Sequence, residues 1–208
     1  NVRVTEFMEA MGQAGRNNYN RYCYEDSSPV ANLFLNLKYL LERGNVVKDN
    51  PYFDVKHSYN GVTLLENNAY LPLGFLAESE LADLEFVSSG NQFVFENKLF
   101  RAATGLVGNV WQTLSSNNLT VAPNGTKITT QSGSYVAYEE GDALTKLHYN
   151  YRITQEGFLC LDLTMSARNK YRVYVNDREL FEEQMGSLPQ TMAVGKVEIG
   201  DQVRIEIE

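Results

Sequence analysis

Apolar positions recur along this chain with two periods, and the change between them divides it. In Ser27–Gly44, SSPVANLFLNLKYLLERG, the residues Val30, Leu33, Phe34, Leu37, Leu40 and Leu41 return every three or four positions. That spacing makes one apolar face and predicts a buried helix. Ser28 suits the N-cap, Pro29 the first turn and Gly44 a left-handed C-cap, so the helix is expected over about 29–43. A second helical run, NQFVFENKLFRAATG, puts Phe95, Leu99, Ala102 and Ala103 on one face and stops at Gly105, predicting a helix over about 92–104. Between the two, Asn60-Gly61 separates Val55–Tyr59 from Val62–Glu66, a strong hairpin signal. Ala69–Ala77 is apolar, but Pro72 restricts it to an edge or irregular strand. Ahead of the first helix, Asn1–Met11 reads as a short strand running into a helix. Gly12–Asp26 reads as an ordered polar loop carrying Tyr19, Tyr22 and Tyr24.

From Val110 onward no helical period survives. Leu147, Tyr149, Tyr151 and Ile153 share one face of an alternating run, and Leu159, Leu161, Leu163 and Met165 share another. Tyr171, Val173 and Val175 alternate before an Asn176-Asp177 turn, and Val203, Ile205 and Ile207 close the chain opposite Arg204, Glu206 and Glu208. Short period-two runs separated by Asn, Gly and Ser turns indicate antiparallel sheets. The expected fold is therefore an α+β N-terminal part, residues 1–108, followed by an antiparallel β-sandwich of jelly-roll type, residues 109–208. The two parts can share one core.

Charge narrows the function. The chain of 208 residues has a net charge of −8 and no basic cluster, which excludes nucleic acid as a partner. No run of about 18 apolar residues is present to span a bilayer, and no basic start with an apolar stretch opens the chain as a signal peptide. Asn1 is an unusual first residue and reads as the edge of a piece of a longer protein, whose other segments set the compartment. The two cysteines, Cys23 and Cys160, are open to pairing in an oxidising compartment or to remaining separate thiols.

The motifs of phosphate-binding loops, of the hydrolase nucleophile elbow and of zinc peptidases are absent. His57 and His148 are the only histidines, and neither has a second ligand at metal spacing. The acidic group Glu139, Glu140 and Asp142, and the Asn176-Asp177 pair, offer oxygen ligands for calcium, although the simpler reading is turn residues on a solvated edge. Two acids converging across a glycosidic bond cannot be picked out from 26 by spacing alone. A binding face is easier to assemble. His148, Asn150 and Arg152 lie on one strand opposite its apolar run, and Arg172 and Tyr174 on another. If the two strands adjoin, hydrogen-bonding groups and a ring lie together as a sugar site requires; the competing reading is an ordinary hydrated sheet surface. Trp111, the only tryptophan, either stacks on a sugar ring or, the favoured role, plugs the seam between the two parts. The sequons at Asn118 and Asn124 signify glycosylation only in a eukaryotic secreted protein.

Three motifs in order resemble the YfhO family of bacterial polytopic membrane proteins. Leu37, Lys38 and Tyr39, with Phe34 and Leu35 upstream, resemble its Leu-Leu-Gly-Val-Lys-Tyr segment, with Asn36 standing where the family has glycine. Glu66, Asn67, Leu71, Pro72, Leu73, Gly74 and Phe75 resemble its Glu-Asn…Leu-Pro-Leu-Gly-Phe segment, and Phe95, Glu96, Leu99, Thr104 and Gly105 its Phe-Glu…Thr-Gly helix. The closing VYVNDREL…GKVEIGDQVRIEIE is similar to its last sandwich strands. The resemblance implies a GT-C-type glycosyltransferase that takes sugar from a polyprenyl-phosphate donor and delivers it to cell-envelope polymers such as lipoteichoic acid. It also implies that this stretch is a domain on the extracytoplasmic face of the bacterial cell membrane, partnered by the transmembrane portion of the same polypeptide. The aspartate assigned to catalysis belongs to an early loop that has no counterpart here, so the resemblance carries over no catalytic residue, cofactor or metal. LPLGF and the Lys-Tyr helix are then structural. The expected role is a non-catalytic domain that positions glycan or braces the membrane part; the alternatives are a free carbohydrate-binding module and a glycoside hydrolase fragment.

Overall fold

A computed structural model describes residues 2–16, 21–24, 26–43, 50–85, 91–114, 119–121, 129–130, 133–134, 147–163, 170–184 and 190–207. In chain order the elements are α1 (Val2–Ala10), β1 (Ala14–Arg16), β2 (Arg21–Cys23), α2 (Pro29–Phe34), β3 (Tyr39–Arg43), β4 (Phe53–Tyr59) and β5 (Val62–Asn67). A 3₁₀ turn (Ser79–Asp83) and α3 (Gln92–Thr104) follow. Then come β6 (Leu119–Val121), β7 (Thr129–Thr130), β8 (Gly133–Ser134), β9 (Leu147–Arg152), β10 (Gly157–Leu163), β11 (Lys170–Val175), β12 (Arg178–Gln184), β13 (Gln190–Val197) and β14 (Gln202–Ile207). The class is the one the periods predict, α+β followed by antiparallel sheets. Two compact units form: Asn1–Thr113 with Phe158–Thr164 and Leu188–Lys196, and Leu114–Gly157 with Met165–Ser187 and Val197–Glu208.

In the first unit, α3 is built as its sequence dictates. The Asn91 side chain accepts from the Phe93 and Val94 amides at the N-cap, and Gly105, at φ 68°, turns the chain out of the helix. Phe95 and Leu99 pack with Ala10, Met11 and Ala31, and Phe7 meets Phe95 edge-on at 6.2 Å. The β4–β5 hairpin turns at Asn60 and Gly61, both with positive φ, the geometry that matches strand twist. β5 pairs with β3 on its other side, giving the order β3-β5-β4, and β10 pairs with β13.

The structure departs from four expectations. The helix expected over about 29–43 stops at Phe34, because Asn36 sits at φ 56°, a left-handed conformation that no helix continues through. Tyr39–Arg43 becomes a strand whose register sets Tyr39 opposite Glu66 and Leu41 opposite Leu64; Gly44, expected as the C-cap, lies outside the described residues. Asn1–Met11 holds no strand among its described residues, where α1 runs from Val2. The polar loop over Gly12–Asp26 contains the β1–β2 hairpin. Ala69–Ala77 forms no strand: Pro72 lacks a ladder donor, and the segment is anchored instead by Leu71, whose amide donates to the Leu33 carbonyl.

The second unit is organised by a five-stranded antiparallel sheet in the order β12-β11-β14-β9-β6. Tyr171, Val173, Val203 and Ile205 are buried on one face, in register with Tyr149 and Tyr151 of β9. The alternation leaves Arg172, Tyr174, Arg204, Glu206, His148 and Asn150 on the other.

Candidate functional site

The sheet brings together five of the six residues expected to form a binding face. His148, Asn150 and Arg152 lie on β9, and Arg172 and Tyr174 on β11, but the strands do not adjoin. β14 runs between them and pairs with both. The closing strand takes the central position because its Val203 and Ile205 fill the apolar face while Glu206 meets His148 on one side and Arg172 on the other. Register then sets His148, Glu206, Arg172 and Glu182 in one row. His148 Nε2 is 3.1 Å from Glu206 Oε2, Arg172 Nη1 donates to Glu206 Oε1 at 2.9 Å, and Arg172 Nε donates to Glu182 Oε2 at 2.5 Å. Arg172 and Lys170 beside Glu182 hold its carboxyl below the usual range. Each carboxylate of the row is thus met by a side chain of the same row.

The next row runs Asn150, Arg204, Tyr174, Glu179. The Arg204 guanidinium lies 4.3 Å from the Tyr174 ring centre, so one ring face on which a sugar would stack is already covered. The Tyr174 hydroxyl donates to Glu179 at 3.1 Å. Arg152 is exposed at the end of β9. Glu206, only 7% exposed, is the centre of the face and was legible only as an outward position of the last strand. Its two partners, His148 and Arg172, became visible once the strand order was known.

Trp111 belongs to the first unit, where it is built around a buried acid. Its indole Nε1 donates to Glu96 Oε2 at 2.5 Å. Its backbone is held by Asn97, whose Nδ2 donates to the Trp111 carbonyl and whose Oδ1 accepts the Trp111 amide. Glu96 is fully buried, and the Ser28 hydroxyl lies 2.7 and 2.8 Å from its two oxygens. That same hydroxyl accepts the Ala31 amide, so one serine caps α2 and ties it to α3. Burial pushes the Glu96 carboxyl up from 4.5 to about 7, with the bonds from Ser28 and Trp111 opposing the shift. The sequence flagged Ser28 as a cap and Glu96 as part of a motif, but nothing local joined positions 68 residues apart.

Other expected chemistry resolves simply. Asn176 and Asp177 form the β11–β12 turn, both at positive φ, and Asn176 bonds the Gln202 amide and Asp201. Glu139, Glu140, Asp142 and the sequon asparagines Asn118 and Asn124 lie outside the described residues, among which no three His, Cys, Asp or Glu side chains gather as a metal would require. Cys23 and Cys160 are free thiols. A cavity of about 20 Å³ lined by Tyr24, Asp26, Glu42 and Phe158 has room for one water and not for a sugar ring.

Fold and site together define a loop-rich α+β and antiparallel-sheet protein whose most buried acids are held by internal partners. No helix among the described residues is long and apolar enough to cross a membrane. The chain belongs to the family described as bacterial membrane protein YfhO, whose model matches residues 1–208. No curated protein and no solved structure matches it. At φ 56° Asn36 occupies the left-handed conformation that glycine adopts freely and asparagine tolerates best among the rest.

Proposed function

We propose that this chain is a non-catalytic, extracytoplasmic domain of an integral-membrane glycosyltransferase acting on cell-envelope glycopolymers, with a bracing role toward the membrane-embedded part. Membership of a membrane-protein family over its whole length supports the membrane half of this reading. The observation that carries the non-catalytic half is the state of its buried acids. Glu96 is held between Ser28 and Trp111, and Glu206 between His148 and Arg172, arrangements that lock elements together. A glycan-positioning role would draw on Asn150, Arg152 and Tyr174, with Arg204 displaced from the ring.

The test uses the full-length protein in isolated membranes with a polyprenyl-phosphate sugar donor and a glycopolymer acceptor. Glu96→Gln and Glu206→Gln are expected to keep transfer per folded molecule close to that of the parent. A loss of about a hundredfold or more with the fold intact, the size of a missing acid–base group, overturns the non-catalytic assignment. Recovery of the parent protein in the soluble fraction overturns the membrane assignment and leaves a free carbohydrate-binding module. If glycan binding exists and both Arg152→Ala and Tyr174→Ala leave it unchanged, the sheet face is not where it occurs.

A further inference from the structure

The LPLGF segment is an exposed apolar loop rather than a packed strand. Leu73, Leu76 and Val107 are 94%, 102% and 102% exposed, and Phe75, Leu106 and Val110 are exposed beside them in sequence. These residues belong to two loops of the first unit that the fold joins at their bases. The Glu78 amide donates to the Ala103 carbonyl at 3.1 Å, and the Glu78 side chain lies against Gly105, directly before Leu106 and Val107. Behind the tip the first loop is rigidly seated. Leu71 is bonded to the end of α2 through Leu33, the Asn36 side chain donates to the Leu71 carbonyl, and Phe75 meets Phe34 at 6.1 Å. Leucines held out on a braced loop lose contact with the core for no folding benefit, so their position needs a partner to explain it.

Chemistry selects that partner. No charged residue occurs from Asn67 to Ala77 or from Gly105 to Trp111, whereas charges stand at the bases: Lys38 over the Tyr70 ring, Arg101 bonded to Asn109, and Glu78 and Glu80. An uncharged apolar tip ringed by charges and aromatic residues matches the boundary between hydrocarbon and headgroups. Six side chains fall short of the roughly 20–30 residues per side of a stable protein interface, which argues against a second copy or a soluble protein as occupant. Membership of a membrane-protein family puts a bilayer within reach.

We propose that the paired loops 73–76 and 106–110 dip into the interfacial layer of the lipid bilayer and set the orientation of the first unit on it. This rests on the membrane residence proposed for the chain and is independent of sugar transfer. Because acids and cations both stand at the bases, burial drives the contact and anionic lipid adds nothing.

The experiment holds the chain on vesicles through a terminal His tag and a nickel-chelating lipid. Bimane is attached at Leu76→Cys, Val107→Cys or, as a control on an exposed strand, Tyr59→Cys, each in a Cys23→Ser, Cys160→Ala background. Vesicles are phosphatidylcholine or a phosphatidylethanolamine–phosphatidylglycerol mixture, with a nitroxide lipid labelled near the headgroup as quencher. Expected are blue-shifted emission and quenching at positions 76 and 107 and neither at 59, equal in both vesicles and insensitive to salt. Adding Leu73→Asp and Leu106→Asp abolishes both signals. Water-like emission at 76 and 107, a blue shift without quenching (a protein partner), or equal quenching at 59 overturns the proposal. No sugar donor or acceptor is present, so failure of the transfer assay leaves this result standing, and the reverse.

Discussion

Glu96 offers the most direct test of the buried node, through the replacement Glu96→Gln. In the unfolded chain this carboxyl releases its proton near its ordinary value of 4.5; in the folded protein it holds the proton to about 7. Between those values the native state binds more protons than the unfolded state, so its contribution to stability is complete below 4.5 and is lost as pH rises through about 7. At roughly 1.4 kcal/mol per pH unit, the loss amounts to about 3 kcal/mol. Glutamine mimics the protonated acid: its carbonyl can accept from Trp111 Nε1 and its amide can donate to the Ser28 hydroxyl. The variant is therefore expected to match the parent near pH 4.5, to show no decline attributable to this site, and to exceed the parent by up to about 3 kcal/mol above pH 7. Urea unfolding followed by the fluorescence of Trp111, the only tryptophan, reads the very unit that holds the acid. Glu66, Glu182 and Asp201, whose bonded carboxyls are held low, lose their contributions at more acidic pH and cancel in the comparison. Parallel pH profiles for the two proteins would refute the reasoning, because they would place the proton affinity of Glu96 at its ordinary value in the fold.

Three further substitutions probe the backbone and the sheet. In Gly12→Ala the new Cβ falls well inside van der Waals contact with Thr191 Oγ1 at φ +76°, so a loss of about 3 kcal/mol is expected from strain and overpacking together. Adding Thr191→Ala should restore only the packing share, and full recovery in urea midpoints would disprove the backbone part. Asn36→Ala should cost about 2 kcal/mol and Asn36→Gly about 1, since glycine keeps the left-handed backbone and forfeits only the bond to Leu71; thermal melts with the order reversed would contradict the conformational account. A double-mutant cycle of Arg172→Ala with Glu206→Gln should give a coupling of about 1–3 kcal/mol, as the pair meets at 2.9 Å with Glu206 nearly buried. A coupling near zero would reduce the row to an ordinary surface ion pair.

How far the sequence could be read depended on the range of each interaction. The α3 helix, its Gly105 end and the Asn60-Gly61 hairpin rest on contacts within a few residues, and all were legible; the Asn91 cap, equally local, appeared only with the structure. The helix over about 29–43 was not, although its apolar spacing was good. Leu40 and Leu41 satisfy a helical face and an alternating strand equally well, and β5, more than twenty residues later, decided for the strand. Asn36 held a local hint, since asparagine tolerates positive φ, but it is also common within helices that end later.

The candidate face shows the same boundary. Alternation by itself put His148, Asn150 and Arg152 on one side of a strand and Arg172 and Tyr174 on one side of another, because the pleat has a period of two. It could not place β14 between them, nor make Glu206 the shared partner of His148 and Arg172. Likewise Ser28 was evident as a cap, while its bond to Glu96 required α2 and α3 to meet. Local chirality and hydrophobic period determined which segments bend, turn and alternate. Which segments meet was decided only by the tertiary structure, since closing a long loop is repaid by many contacts at once and no single residue records that sum.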